Sequence, residues 1–242
     1  MLYGFDLKQL FYFPIENQEA RKNFLIGSLL ILAGFIIPII PSLIVIGYVM
    51  QIMRQVMNGD KPHMVAWDNW ETLLKNGAKV YGVSLIYSLP LLILMFPMLL
   101  FFFVMPFLAT MSDKYSGLFS VSFLMFPLFF ICLMPLSLGF SLIVPAAEAH
   151  VTYTGSFSAG FQVGEWWAIF RKNSGGFIVA FCIFMGFSVA ASFIYQIAFM
   201  TVILICAMPF ILPILSMYLL LIRLITAAQA YREGRERLSV QK

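Results

Sequence analysis

The residues able to do chemistry are few, and their spacing excludes most reactions. Histidine occurs twice, as His63 and His150. Neither has a Cys, Asp or Glu at metal-ligand spacing, so no zinc or di-iron site is expected. A Walker lysine, GxGxxG, GxSxG and HExxH are all missing. Acid–base work near a membrane surface would fall to Glu148, His150, Asp68 and Glu71, which form no recognisable set. The expectation is a protein without enzymatic activity and without a cofactor. Two ionisable residues inside apolar stretches, Glu148 and Arg223, stand out because burying charge in lipid is costly. Together they would form an intramembrane ion pair: a structural lock, a gate or a lipid-headgroup contact.

The elements that must position these residues are apolar. Of 242 residues, 62% are hydrophobic and 11% charged, and the mean hydropathy is +0.93. A soluble domain is nearer a quarter charged, so this chain cannot coat a globule with polar surface. That rules out a soluble enzyme or a nucleic-acid module. Four apolar blocks run from Phe24 to Met57, Val80 to Ala109, Leu118 to Ala149 and Phe177 to Tyr231. Spanning the hydrocarbon takes ~20 helical residues, so the last block holds two crossings. No segment alternates as a barrel strand does. The expected fold is all-α and polytopic, with about five spanning helices kinked by prolines such as Pro90, Pro135 and Pro213. Cys132, Cys182 and Cys206 sit in apolar runs without CxxC spacing and read as small buried hydrophobes. The first long apolar run comes after polar residues and is too long for a cleaved signal.

The first block is ambiguous. As one crossing it places the N-terminus opposite the C-terminus, although Arg21 and Lys22 adjoin it. Alternatively, Pro38-Ile39-Ile40-Pro41 turns it into a short re-entrant hairpin, a sixth helix that returns both ends to one side. Each arm would hold ~15 residues, or ~22 Å.

Pro38 and Gly59, Pro135 and Ser156, and Pro213 and Gly234 are each 21 positions apart. Trp70…Lys75-Asn76-Gly77 and Trp167…Lys172-Asn173-Ser174 are displaced by 97. This reads as an internal repeat within a single transmembrane domain. An N-terminal interfacial segment (1–23) precedes repeat units at 24–109 and 118–202, a last helix at 203–231 and a basic tail at 232–242. The repeat puts the three small-residue exits on one side, flanked by Arg54, Lys61, Lys75 and Lys79, then Arg171 and Lys172, then Arg232, Arg235, Arg237 and Lys242. The opposite loops hold only Lys114 beside Asp113. Positive charge marks the cytoplasmic side, so the C-terminus is expected there. Glu148 aligns with Thr226 in this register, which sets it at a depth similar to Arg223.

Two segments read as amphipathic helices lying on the cytoplasmic leaflet. In Trp67–Lys79, Trp67, Trp70, Leu74 and Ala78 share one face, Asp68 caps the start and Glu71 pairs with Lys75. The looser copy, Phe157–Lys172, carries Trp166, Trp167, Arg171 and Lys172. Both would touch lipid or a protein partner.

Gly47-Tyr48…Arg54…Gly59, then Trp67-Asp68-Asn69-Trp70…Leu74-Lys75-Asn76-Gly77-Ala78-Lys79, leading into Ser84-Leu85-Ile86-Tyr87-Ser88-Leu89-Pro90, resembles the domain of unknown function 4013 family. Pro62 lies further from Trp67 than the family's proline does, and Lys75 replaces a common acidic residue. The resemblance implies a prokaryotic multi-helix protein of the cytoplasmic membrane and brings no activity with it. The expected role is an accessory, scaffold or assembly subunit of a larger membrane complex, with a protein partner or a second copy in the bilayer and no nucleic acid. The alternative is a transporter or lipid-handling protein using the kinked helices as a binding or gating site.

Overall fold

Pro38 and Pro41 decide the first block. The computed structural model describes residues 7–111 and 116–240; Asp113, Lys114 and Lys242, which entered the charge pattern, lie outside them. A short helix α1 (Leu7–Tyr12) and a 3-10 turn (Phe13–Ile15) lead into α2 (Gln18–Ala33), whose N-cap Asn17 accepts the Ala20 N–H at 2.8 Å. α2 ends before Pro38, and α3 (Ile40–Asn58) starts with Pro41 in its first turn. Between them Ile39 has φ 76°, a left-handed conformation that a β-branched residue rarely takes. The first block is therefore two helices joined by a turn, the hairpin arrangement. α2 packs along both α3 and the last helix, and at 16 residues it is ~24 Å long. The turn is wholly apolar: Phe35, Ile36, Ile37, Ile39 and Ile40 are all exposed.

After α3 come α4 (Trp70–Met111), α5 (Ser116–Thr154), a 3-10 turn (Ser158–Phe161), α6 (Val163–Lys172), α7 (Ser174–Met200) and α8 (Val202–Ser239). Among the described residues there is no strand, and five helices are long and apolar enough to cross a membrane: 40–58, 70–104, 127–154, 174–200 and 206–239. The chain is an all-α, polytopic membrane protein. α4, α5 and α8 run on through their prolines; only the Pro38/Pro41 pair breaks a helix.

The chain divides into two compact units. One combines the residues up to Val83 with those from Pro145 onward, and carries the core. α8 is its axis, packed by α2, α3, α6 and α7. Tyr48, Met50, Ile52, Met53, Leu73, Met217, Leu221 and Ile222 fill it. α1 joins this unit, since Tyr218 Oη on α8 donates to the Phe11 carbonyl at 2.9 Å. The other unit, Ser84–Val144, comprises the apolar remainders of α4 and α5, where many of the described large side chains, Ile93, Phe96, Phe103 and Ile131 among them, are exposed.

Three expectations need correcting. Trp67–Lys79 is no separate flat helix: residues 60–69 have no regular secondary structure, and Trp70 opens the continuous 42-residue α4. Asp68 does not precede the first helical residue; Asn69 does, at φ 54°. The buried stripe of this segment is Leu73, Gly77 and Val80, while Trp70 and Ala78 are exposed. Glycine is the reason. The α3 and α4 backbones cross at Gly47 and Gly77, where an added Cβ would lie 1.9 Å from the Leu73 carbonyl oxygen and 1.7 Å from that of Leu43. Such contact needs small residues on both helices, and it turns the Gly77 face inward.

Second, Gly234 is no exit. α8 continues to Ser239, and Gly234 lies against α6, a Cβ there meeting the Ile169 carbonyl oxygen at 2.7 Å. Third, the three cysteines are exposed on their helices. Lipid is as apolar as a core, so an apolar residue in a span gains little by turning inward.

Candidate functional site: a charged latch at one end of the helices

Every α-helix leaves its last four carbonyls without intrahelical donors. At one end of the larger unit, cations from neighbouring helices supply them. α3 finishes at Gly59, φ 95°, and α5 at Gly155, φ 73°, both left-handed glycine caps. Arg54 on α3 donates its Nε–H to the Thr152 carbonyl of α5 at 3.0 Å, and Lys79 on α4 donates to the Gly155 carbonyl at 2.8 Å. From α8, Arg232 donates to the Val56 carbonyl at 3.1 Å and Arg235 to that of Met57 at 3.3 Å. The Arg235 guanidinium also lies 4.2 Å over the Tyr153 ring. Each cation sits at the negative end of a helix dipole, where charge is favoured. The basic residues that mark topology in the sequence thus tie the ends of α3, α4, α5 and α8 together.

Glu148 and Arg223 meet one step further in. One guanidinium nitrogen of Arg223 donates to both carboxylate oxygens, at 2.8 and 2.9 Å. The Glu148 side chain is 2% exposed and that of Arg223 31%. Beside them Thr152 returns its hydroxyl to the Glu148 carbonyl at 2.8 Å, as a threonine without a polar neighbour does within a helix.

His150 points elsewhere. Its Nδ1 shares a 2.7 Å hydrogen bond with the Tyr231 hydroxyl, and its Nε2 lies 3.3 Å from the Glu165 carboxylate on α6. Arg223 and Tyr231 are eight residues apart on α8, or ~12 Å, so Glu148 and His150 serve different neighbours and share no cleft. Among the described residues no three of His, Cys, Asp and Glu group as metal ligands.

The segment Phe157–Lys172 divides into the 3-10 turn Ser158–Phe161 and α6. Trp166, Ile169 and Phe170 are buried, Trp166 Nε1 donates to the Gly160 carbonyl at 3.1 Å, and Arg171 and Lys172 are exposed in its last turn. Trp167 lies half outward, stacked on Phe170. Asn173 ends α6 and donates to the Ala230 carbonyl at 2.9 Å and to Glu233, which fixes α6 against α8.

Trp67 and Trp70 separate in role. Trp70 is exposed, and Glu71 pairs with Lys75 one turn on. Trp67 is buried: its ring stacks on Tyr48 at 3.8 Å, and its Nε1 donates to the Asn23 carbonyl on α2 at 2.9 Å. Tyr48 in turn donates to the Val65 carbonyl at 2.7 Å. The indole therefore pins both arms of the α2–α3 hairpin to the loop behind them. Trp67→Phe keeps most of the packing and removes one buried hydrogen bond from a carbonyl that keeps its helical partner, so it should cost about 1 kcal/mol. A detergent-solubilised melt lowered by several degrees is the expected reading; an unchanged midpoint would show the bond to be idle.

Sequence reasoning saw Arg54, Lys79, Arg232 and Arg235 only as charges on a side. It missed Tyr48, Asn173 and Tyr231 as polar partners. A tyrosine or asparagine at the end of an otherwise apolar helix was the available signal.

No curated protein and no solved structure matches this chain. The family model described as a protein of unknown function, DUF4013, matches residues 29–200. That stretch takes in the end of α2, the Pro38–Pro41 turn, α3, the glycine crossing, Trp67 and Glu148, and covers well over half of the sequence: the chain belongs to the DUF4013 family of proteins of unknown function.

Proposed function

We propose that this integral membrane protein is a non-enzymatic accessory or scaffold subunit of a larger assembly in the prokaryotic cytoplasmic membrane. Its latched end would face the cytoplasm, by the bias of Lys and Arg to that side. One observation carries the reading. In the most apolar stretch of α4 none of the residues is buried, and in that of α5 only 6% are, against 56% for α3. A helix apolar all round is stable only when something apolar surrounds it. The cations of the larger unit cap helix ends and the Glu148 carboxylate is held by Arg223, so its polar groups serve rigidity. Apolar helices whose described residues stay exposed fit a subunit that docks another membrane protein, or a second copy, through Ser84–Val144.

A photo-crosslinking residue at Ile93 or Ile131, both outward-facing, tests this in native membranes. The expected result is a discrete protein adduct, identified by mass spectrometry, that is missing with the probe at Ile197 on α7. Adducts to lipid alone at both positions would refute the docking role.

A further inference from the structure

Between α1 and the loop after α3 lies a groove that adjoins the latch and shares Val56, Gly59 and Arg232 with it. Two adjoining hollows, about 290 and about 470 Å³, share Gln9, Lys61 and Pro62 as a common wall. Leu10, Val56 and Ile225 give the first an apolar lining. Lys8, Lys61 and Arg232 add three cations across the pair, against the carboxylates of Asp60 and Glu16. Arg232 is held by its bond to the Val56 carbonyl. Its buried Nε makes no hydrogen bond, the Glu236 carboxylate being 3.5 Å away.

This layout sits at the foot of α3, where a spanning helix ends. Apolar side chains beside cations at such a level match a lipid, with hydrocarbon against the first and phosphate against the second. The excess of one cation suits the single charge of a phosphodiester. The two carboxylates can accept hydrogen bonds from the hydroxyls or ammonium of a headgroup. A free phosphate would meet the same cations without touching the apolar wall that Leu10, Val56 and Ile225 form beside them.

We propose that this groove binds a membrane phospholipid, with Lys8, Lys61 and Arg232 contacting its phosphate and Leu10, Val56 and Ile225 contacting its apolar part.

Native mass spectrometry of the full chain, titrated with phosphatidylglycerol in a neutral detergent, tests the site. Each lysine near an anionic lipid contributes a free energy equivalent to about a fivefold change in affinity. Lys8→Gln/Lys61→Gln should therefore bind the first lipid about thirtyfold more weakly, while Lys75→Gln, paired with Glu71 on α4, binds as wild type. Equal affinity in the double variant and wild type overturns the proposal. So does inorganic phosphate that displaces the lipid at matched concentration, since the site would then read a soluble anion. Lys8 and Lys61 are exposed, so the fold should survive; if the double variant does not fold, each single substitution is expected to weaken binding about fivefold and decides the matter.

Discussion

Arg223→Leu is expected to lower stability by about 3 kcal/mol, because it strands the Glu148 carboxylate at 2% exposure. Removing one member of a buried pair leaves an uncompensated charge, and that penalty exceeds what the pair itself contributes. In a chain of this size the melting midpoint should fall by roughly 10 °C. The sharper measurement is the double variant Glu148→Leu/Arg223→Leu. It removes both charges from the same spot and should be more stable than Arg223→Leu alone. A single variant that melts with wild type would show that the contact at 2.8 Å is held by its surroundings and contributes little.

Gly77→Ala should be as severe, for a reason without charge. The new methyl would lie 1.7 Å from the Leu43 carbonyl oxygen and 2.8 Å from the Gly47 amide nitrogen. Both belong to backbone in the middle of a helix, so no rotamer relieves the clash and α3 and α4 must separate. Separation unpacks Leu73, which is fully buried, so overpacking here should cost about 3 kcal/mol or more. Gly47→Ala strikes the Leu73 carbonyl in the same way. Gly139 and Gly186 have nothing within 4 Å of an added Cβ, and alanine there should be neutral or slightly stabilising. A thermal shift assay on the four variants in one detergent separates the two classes; Gly77→Ala melting alongside Gly186→Ala would mean that the helices do not cross so closely.

The spanning helices were readable because lipid demands unbroken apolar length, which any window along the chain detects. The pairing of Glu148 with Arg223 was readable for a related reason: charge in such a stretch is rare, so two charges at one depth have few other partners. The status of Trp67–Lys79 was not. A surface helix and the mouth of a spanning helix both start with mixed polarity and tryptophan, and only the course of the backbone beyond Lys79 tells them apart. Gly47 and Gly77 were visible as letters, yet a glycine at a backbone crossing and one facing lipid look alike in one dimension. The latch was hidden more deeply. Its acceptors are the carbonyls of Val56, Met57, Thr152 and Gly155, which every residue possesses and no sequence distinguishes. The turn between α2 and α3 lay between these extremes: two prolines three apart announced a break, but not that Ile39 would take the positive φ that closes it.

Arg232 and Arg235 emerge from the ribosome 176 and 178 residues after the carbonyls they cap on α3. Until then the C-terminal end of α3 lacks both of its ties to α8, so this closure is completed only by the last turns of the last helix, and a chain shortened before Arg232 would keep the Gly59 cap while losing both clasps.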